Sequence, residues 1–207
     1  MSTPKKQRIA IWFIAVVLTF GTLGSFMIIA LNIKNSAAEE AAFNKAYSQY
    51  QQDVSDQADE LSAQYYDTFS QFASKVSTYD ATSVTELATE DLLVGDGEEV
   101  TEDTDYSAYY LGWLSDGTIF DESISDGALE TPLSKSDSLV DGWQKGVIGM
   151  KLGGVREITM PSDLGYGSDG YSTTIPADAP LKFIVMLIPR ITDIEIPQEI
   201  LDYYSSN

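Results

Sequence analysis

Hydrophobic residues follow three patterns along the chain, and each pattern predicts a different kind of element. Residues 9–31 form an unbroken apolar run without a charged residue. Residues 37–77 contain no proline or glycine, and their apolar positions recur every three or four residues, as on one face of a helix. From Leu87 onwards, short apolar runs alternate with turns rich in Gly, Asp and Ser, which is typical of strands. The order predicts a membrane helix, a long amphipathic helix and a sheet domain.

The first run is long enough to cross a bilayer, since about 20 apolar residues span a hydrocarbon layer of about 30 Å. Three basic residues precede it, so the positive-inside rule places residues 1–8 in the cytoplasm and the later domains outside. A cleaved signal peptide is the alternative, with Ser36-Ala37-Ala38 resembling a cleavage site. The apolar core of a signal peptide is usually only about 7 to 15 residues long. We therefore expect an uncleaved anchor at residues 9–33 in the cell membrane.

The second pattern predicts an extracytoplasmic helix within residues 34–77 whose apolar stripe needs a partner, because an exposed aromatic stripe is unfavourable in water. The stripe packs on the sheet domain, forms a homodimer through residues 37–77, or binds another protein. Its mean spacing, about 3.67 residues, does not indicate a regular left-handed coiled coil. Its members are Phe43, Tyr47, Tyr50, Val54, Ala58, Leu61, Tyr65, Phe69, Phe72 and Val76.

The third pattern predicts an antiparallel sheet with one short helix, which is an α+β domain. A turn at Ser115–Thr118 joins two of the strands, and Glu122–Asp137 is expected to be a loose polar segment. After Pro197 a short helix is expected to dock on the sheet or on the long helix. The predicted strands are Leu87–Val94, Tyr106–Leu114, Ile119–Asp121, Val155–Met160 and Leu181–Ile188, and the predicted helices are Leu139–Gly149 and Gln198–Tyr204.

The charge and composition of the chain reduce the number of possible functions. The formal net charge is −20, and all 32 acidic residues follow residue 38, against eight basic ones there. Such a surface repels nucleic acid, so a phosphate-binding role is not expected. The chain has no Cys and no His, which excludes a disulfide, a Cys- or His-based metal site and a catalytic triad. We expect no cofactor and no metal.

An ordered set of short motifs resembles the FKBP family of peptidyl-prolyl isomerases. The matching pieces are Tyr110-Leu-Gly112, Ser115-Asp-Gly117, Phe120-Asp121, Asp141-Gly-Trp143, Gly149-Met150, Leu164-Gly-Tyr166-Gly167, Ile175-Pro176 and Leu181-Lys-Phe183. The resemblance implies an FKBP-like antiparallel sheet wrapped on one short helix at residues 85–192. A linker at 78–84 precedes this domain, and a tail at 193–207 follows it.

The resemblance also implies a peptidyl-prolyl cis-trans isomerase that assists the folding of extracytoplasmic proteins by acting on proline-containing client polypeptides. Trp143 is implied as the floor beneath the proline ring, and Asp121 as a buried carboxylate near the substrate carbonyl. The Val140 backbone N–H and the Tyr166 hydroxyl are implied as donors to the ligand. The implied catalytic residues are Tyr110, Phe120, Asp121, Trp143 and Tyr166, and the implied substrate-binding residues are Leu139, Val140, Tyr171, Ile175 and Phe183.

The chain departs from the family pattern beside the binding pocket that the resemblance implies. Residues 129–133 contain no aromatic where a wall aromatic is usual. In the loop after Tyr166-Gly167, Tyr171 and Thr174 take the places where the family often has a bulky or imidazole residue and a second isoleucine. The alternative function is therefore a non-catalytic FKBP-fold chaperone or protein-binding module on a membrane-tethered stalk.

Overall fold

A long helix, α1 (Ala37–Ser70), opens the part of the chain that the computed structural model describes, which is residues 37–136 and 138–205. A 3-10 turn at Gln71–Lys75 continues it, so the predicted long amphipathic helix is confirmed, with its last residues wound more tightly. The predicted anchor at residues 9–33 lies outside the described residues. Within 37–136 and 138–205, no helix has the length and apolar content that a membrane crossing requires.

The strands that follow α1 form an antiparallel sheet in the order β1-β7-β8-β2-β3, and β6 also pairs with β2. A second, two-stranded sheet consists of β4 and β5. The predicted α+β class and all five predicted strands are confirmed. The strands are β1 (Ala88–Leu93), β2 (Tyr106–Trp113), β3 (Ile119–Glu122), β4 (Ile124–Ser125), β5 (Ala128–Leu129), β6 (Leu133–Ser134), β7 (Val155–Met160) and β8 (Leu181–Pro189).

Two predictions of local structure were wrong. The segment Glu122–Asp137 is not a loose polar loop, because β4, β5 and β6 lie within it. Each of these strands is only two residues long, too short for the alternation of polar and apolar residues to reveal it. The predicted helix Leu139–Gly149 is shorter than expected, because α2 comprises only Asp141–Gly146.

The central strands β2 and β8 carry apolar residues on both faces, since successive side chains of a strand point to opposite sides. Along β2, Tyr106 and Ala108 belong to one buried cluster, whereas Tyr109 and Leu111 belong to the other. The first cluster lies on the face that contains Trp143 of α2, and we call it the pocket-side cluster. The second, around Phe69 of α1, we call the helix-side cluster. Both faces of the sheet are therefore covered by a helix.

The C-terminal half of α1 supplies the cover of the helix-side cluster. Phe69 is 1% exposed, and its ring lies 6.3 Å from the ring of Tyr109 on β2, with Tyr65 at 6.2 Å from the same ring. Leu61 and Phe72 also pack on this cluster. The expectation that the aromatic stripe packs on the sheet domain is confirmed for this half of the helix.

The chain divides into two compact units, Asp53–Asp193 and a second unit that joins the start of α1 to the C-terminal residues from Ile194. In the second unit, α3 (Gln198–Ser205) begins after Pro197, whose carbonyl accepts a hydrogen bond from the N–H of Ile200. Phe43 is 2% exposed and stacks on Tyr203, with ring centroids 4.2 Å apart. The predicted C-terminal helix therefore docks on α1, one of its two expected partners.

We predict that Phe69→Ala lowers the free energy of unfolding by about 3–5 kcal/mol, because truncating a buried aromatic leaves a cavity between α1 and the sheet. Chemical denaturation of the full-length chain, followed by circular dichroism, measures the change. Gln64→Ala is the matched control on the exposed side of α1 and should leave the midpoint nearly unchanged. Equal effects of the two substitutions would show that Phe69 does not hold the helix on the sheet.

Candidate functional site

Four aromatic rings meet edge to face on the pocket side of the sheet. Trp143 is perpendicular to both Tyr110 and Phe183, with ring centroids 5.6 and 5.5 Å apart and interplanar angles of 83° and 82°. Phe120 meets Phe183 at 5.4 Å and 84°. Edge-to-face contact is a favoured arrangement of aromatic pairs. The structure thus brings four of the predicted site residues, from β2, β3, α2 and β8, into one apolar patch.

Glycines let the backbone approach these rings. A Cβ atom on Gly112 of β2 would lie 2.5 Å from Cζ of Phe120 and 2.8 Å from Cε1 of Phe183. A Cβ on Gly146 would lie 2.7 Å from Cγ2 of Ile158, so this glycine lets α2 sit directly on β7. Any side chain at Gly112 would displace the aromatic rings, and any at Gly146 would lift the helix that carries Trp143.

Trp143 is held from behind by a residue that sequence reasoning missed. Its side chain is 2% exposed, and its Nε1–H donates a hydrogen bond to the hydroxyl of Tyr106, 3.2 Å away. Tyr106 is equally buried, and this burial raises the pKa of its hydroxyl. A buried indole N–H needs an acceptor. The sequence alone does not identify this residue, because its partner lies 37 positions away along the chain.

A tyrosine and a carboxylate share a strong hydrogen bond beside the rings. The hydroxyl of Tyr110 donates to Oδ2 of Asp121 at 2.6 Å, a distance typical of a charge-assisted bond. Burial raises the pKa of the Asp121 carboxyl, although the bonds from Tyr110 and from the Glu122 backbone oppose this. Burial and the facing carboxylate both raise the pKa of Tyr110, so its hydroxyl stays protonated.

The loop between β7 and β8 brings three further predicted residues together. The rings of Tyr166 and Tyr171 lie 5.0 Å apart. The backbones of Tyr171 and Ile175 exchange two hydrogen bonds, from the N–H of each to the carbonyl of the other, at 2.9 and 3.0 Å. Ile175 is buried in the pocket-side cluster, whereas Tyr171 is 53% exposed. Burial is the main cause that raises the pKa of the Tyr166 hydroxyl, and Tyr171 and Asp121 also contribute.

The remaining predicted residues, Leu139 and Val140, lie at the start of α2 and pack on the pocket-side cluster. The Val140 carbonyl accepts the N–H groups of Trp143 and Gln144 at 2.9 and 3.2 Å, which fixes the beginning of the helix. The Gln144 side chain donates to the Leu139 carbonyl at 2.6 Å. The chain that enters the helix is therefore held next to Trp143.

Residues 129–133, which lack a wall aromatic, contribute side chains to both faces of the central sheet. Leu129 is 3% exposed and belongs to the helix-side cluster, so it points away from the pocket. Leu133 packs on the pocket-side cluster opposite Ala108 of β2. Between them stands Glu130, a second residue that sequence reasoning missed, whose Oε2 is buried and lacks a hydrogen-bond partner.

Glu130 places a second carboxyl group near Asp121. Burial, as the largest cause, together with the nearby charges of Asp121, Glu122 and Asp126, raises the pKa of Glu130 to about 7, against a hydrogen bond from Ser125. Within the described part of the chain, no Lys or Arg forms an ion pair with Asp121 or Glu130. The aromatic patch is thus bordered by acidic groups.

The arrangement offers apolar surface and a few fixed polar groups, and it provides no nucleophile. Among residues 37–136 and 138–205, no group of three or more Asp, Glu, His or Cys side chains is arranged to hold a metal. Such a site can bind a compact apolar ring against Trp143 and orient the polar groups that flank that ring. It suits a reaction whose transition state differs from the substrate in shape and polarity and that needs no nucleophile.

Known proteins resemble this part of the chain. The family model described as FKBP-type peptidyl-prolyl cis-trans isomerase matches residues 97–188. A Neisseria meningitidis protein called FK506-binding protein is 39% identical over 102 residues, covering 49% of this chain and 94% of the relative. The bovine peptidyl-prolyl cis-trans isomerase FKBP10 is 42% identical over 90 residues, covering 43% of this chain and 15% of the relative. The crystal structure of AtFKBP13 has 31% identity and a TM-score of 0.45, covering 51% of this chain and 93% of that chain.

We predict that Tyr106→Phe lowers the free energy of unfolding by about 1–3 kcal/mol, because it leaves the buried indole N–H of Trp143 without its acceptor. Denaturation of the full-length chain measures the loss, and the indole ¹⁵N–¹H resonance of Trp143 should shift. Tyr171→Phe removes a hydroxyl from an exposed ring and is the control. An unchanged Trp143 resonance in the Tyr106 variant would contradict the bond.

We also predict that Glu130→Gln stabilises the fold more at pH 8 than at pH 5. The pKa of Glu130 is raised from 4.5 to about 7, so the folded state binds the proton more tightly than the unfolded state. The side chain therefore favours folding least above pH 7, and stability falls as pH rises from about 4.5 to 7.

Thermal unfolding of the full-length chain at both pH values checks this, with Asp126→Asn as the control. Asp126 is exposed on the same hairpin, and its substitution removes the same charge. A gain from Glu130→Gln that is no larger at pH 8 than at pH 5 would contradict the proposed burial of a carboxyl group.

Proposed function

Because the chain belongs to the FKBP-type peptidyl-prolyl cis-trans isomerase family, we propose that the pocket around Tyr110, Asp121 and Trp143 performs this isomerisation. The substrates we propose are proline-containing segments of proteins that fold outside the cytoplasm. The observation that carries the proposal is the 2.6 Å hydrogen bond between Tyr110 and Asp121 beside the aromatic patch.

The chemistry requires no bond cleavage. Rotation about a peptide bond has a barrier of about 18–20 kcal/mol, because it breaks the amide resonance. Without a catalyst the X-Pro bond isomerises in tens to hundreds of seconds. A catalyst has to bind the twisted amide more tightly than the planar forms. A twisted amide has lost conjugation and is less polar at its carbonyl oxygen, so an apolar, water-poor surface favours it.

Each group has a part in this scheme. The Trp143 ring is the floor that receives the proline ring, and Phe120 and Phe183 are its walls. The Tyr166 hydroxyl and the Val140 N–H are the donors that orient the peptide backbone. Asp121, held by the Tyr110 hydroxyl, presents a partly desolvated carboxylate to the substrate carbonyl. Because the bond to Tyr110 fixes this carboxylate, little reorganisation is needed when the amide twists.

The residues at 9–33 are proposed to anchor the chain in the cell membrane, with the isomerase domain on the extracytoplasmic side. The support is the uncharged run at residues 9–31 and the basic residues before it. The strongly acidic remainder of the chain would stay apart from an anionic bilayer surface. Pairing of two chains through residues 37–77 stays a prediction.

A chaperone without useful catalysis is the second candidate, and it depends on apolar surface along the stalk. The described structure does not favour it, because no stripe residue from Phe43 to Val76 is among the exposed large apolar side chains. The exposed ones lie elsewhere, for example at Val94, Tyr171 and Leu201. We therefore retain the isomerase as the proposed function.

We predict that Asp121→Asn lowers the catalysed isomerisation rate by about ten- to a hundredfold, the scale of a lost hydrogen bond to a charged group. The assay follows cis-to-trans conversion of an X-Pro peptide by the full-length chain in detergent. Asp163→Asn changes an exposed carboxylate in the loop between β7 and β8 and should keep wild-type activity. A wild-type rate equal to the uncatalysed one, or full activity after Asp121→Asn, would refute the proposed site.

We predict that the full-length chain sediments with membranes and resists extraction by carbonate. Protease added outside cells without an outer membrane, or inside the periplasm after permeabilisation of the outer membrane, should digest the isomerase domain. A variant with Arg inserted in the middle of residues 9–31 should lose membrane association, because a charge at the centre of the bilayer is costly. Recovery of the wild-type chain in the soluble cytoplasmic fraction would contradict the anchor.

A further inference from the structure

A buried polar residue of α1 bonds to the segment that borders the pocket. Ser62 is 7% exposed, although serine is usually a surface residue. Its Oγ accepts a hydrogen bond from the backbone N–H of Leu129 at 2.8 Å, across 67 positions of sequence. Leu129 belongs to β5, and both its side chain and its N–H are buried against the helix. The bond fixes the β4–β5 hairpin to α1.

The hairpin makes few bonds of its own. β4 and β5 have two residues each, joined through Asp126 and Gly127, which both have positive φ. Two-stranded hairpins are marginally stable in water without support from neighbours. The support here comes from Ser62 and from the packing of Leu129 and Ile124 on the helix-side cluster. We expect the hairpin to lose its position when this support is removed.

From the hairpin, hydrogen bonds lead directly to the proposed catalytic pair. The N–H of Glu130, the residue after Leu129, donates to the carbonyl of Ser123 at 3.0 Å. The Ser123 N–H donates to the Tyr110 carbonyl at 2.7 Å, and the Ser123 hydroxyl accepts the Tyr110 N–H at 2.9 Å. Ser123 is 2% exposed, so water does not compete for these bonds.

The end of this series is the Tyr110 hydroxyl, which donates to Asp121. Side-chain packing also links α1 to this strand, because Tyr109, the neighbour of Tyr110 on β2, contacts the rings of Tyr65 and Phe69 of α1. Helix and pocket therefore lie on opposite faces of one strand. A shift of the hairpin relative to α1 would therefore be transmitted to Tyr110 through the hydrogen bonds of Ser123.

We propose that Ser62 is a positioning residue for isomerisation, which acts by holding the β4–β5 hairpin so that Tyr110 keeps Asp121 in its active orientation. This inference rests on the proposed function of the Tyr110–Asp121 pair. It makes the C-terminal half of α1 part of the isomerase domain, although the family model begins only at residue 97. Ser62 itself does not touch the substrate.

The test compares Ser62→Ala with the wild type in the full-length chain in detergent, with Ser55→Ala as the matched control on the exposed side of the same helix. Alanine is the best helix former, so α1 should persist. Ser62→Cys, which keeps the shape of the side chain with a slightly larger atom but accepts hydrogen bonds weakly, is the second variant. Circular dichroism gives the folded fraction, by which each rate is divided.

Two readouts separate a positioning role from a merely structural one. Hydrogen exchange at the Leu129 amide reports the bond itself and should become faster in both Ser62 variants. The kcat for an X-Pro peptide should fall roughly three- to tenfold, the range for residues that act through a network of contacts, with KM little changed. Ser55→Ala should alter neither value.

The remaining outcomes each contradict a different statement. Faster Leu129 exchange with unchanged kcat would overturn the inference and leave the proposed function standing. Unchanged Leu129 exchange would also overturn it, because the bond would then not hold the hairpin. A wild-type chain that is no faster than the uncatalysed reaction would overturn the proposed function, and the positioning role with it.

Discussion

The central sheet is apolar on both faces, and the need to shield both faces from water determines how the described chain is arranged. The strands β2 and β8 alternate between the two clusters, so neither face has a polar side that water can solvate. One face is covered by the short helix that carries Trp143. The other is covered by the C-terminal half of α1. Removing either cover would expose a continuous apolar surface of a size that soluble proteins rarely expose.

This constraint also explains where the proposed site lies. The pocket-side helix is short and contains Gly142 and Gly146, so it sits close to β7, and the rings of Tyr110 and Phe183 lie next to the ring of Trp143. The rings pack as core residues and at the same time form the floor and walls of the proposed site. Function and stability therefore share the same side chains. The groups that serve packing least, Asp121 and Tyr166, are the ones we expect to matter most for catalysis.

Much of the fold could be predicted from the sequence, because the long runs have clear periods. The absence of Pro and Gly identified α1, and long apolar-rich runs identified β2 and β8. The two-residue strands of the Glu122–Asp137 segment could not be predicted, since two residues show no period. For the site, the motif order gave the residues that come together. Tyr106, Ser62 and Glu130 could not be recognised, because their importance depends on burial and on partners that are distant in sequence.

The most direct test of the central claim, that the pocket over Trp143 twists X-Pro bonds, is NMR exchange spectroscopy. A proline peptide at equilibrium is observed with a small amount of the full-length chain, and the indole resonance of Trp143 is followed in the same sample. A catalytic pocket predicts cis–trans exchange peaks on the time scale of a second or less, and a Trp143 shift that is absent when Ala replaces the proline. Exchange as slow as in the free peptide, with an unmoved Trp143 resonance, would contradict it.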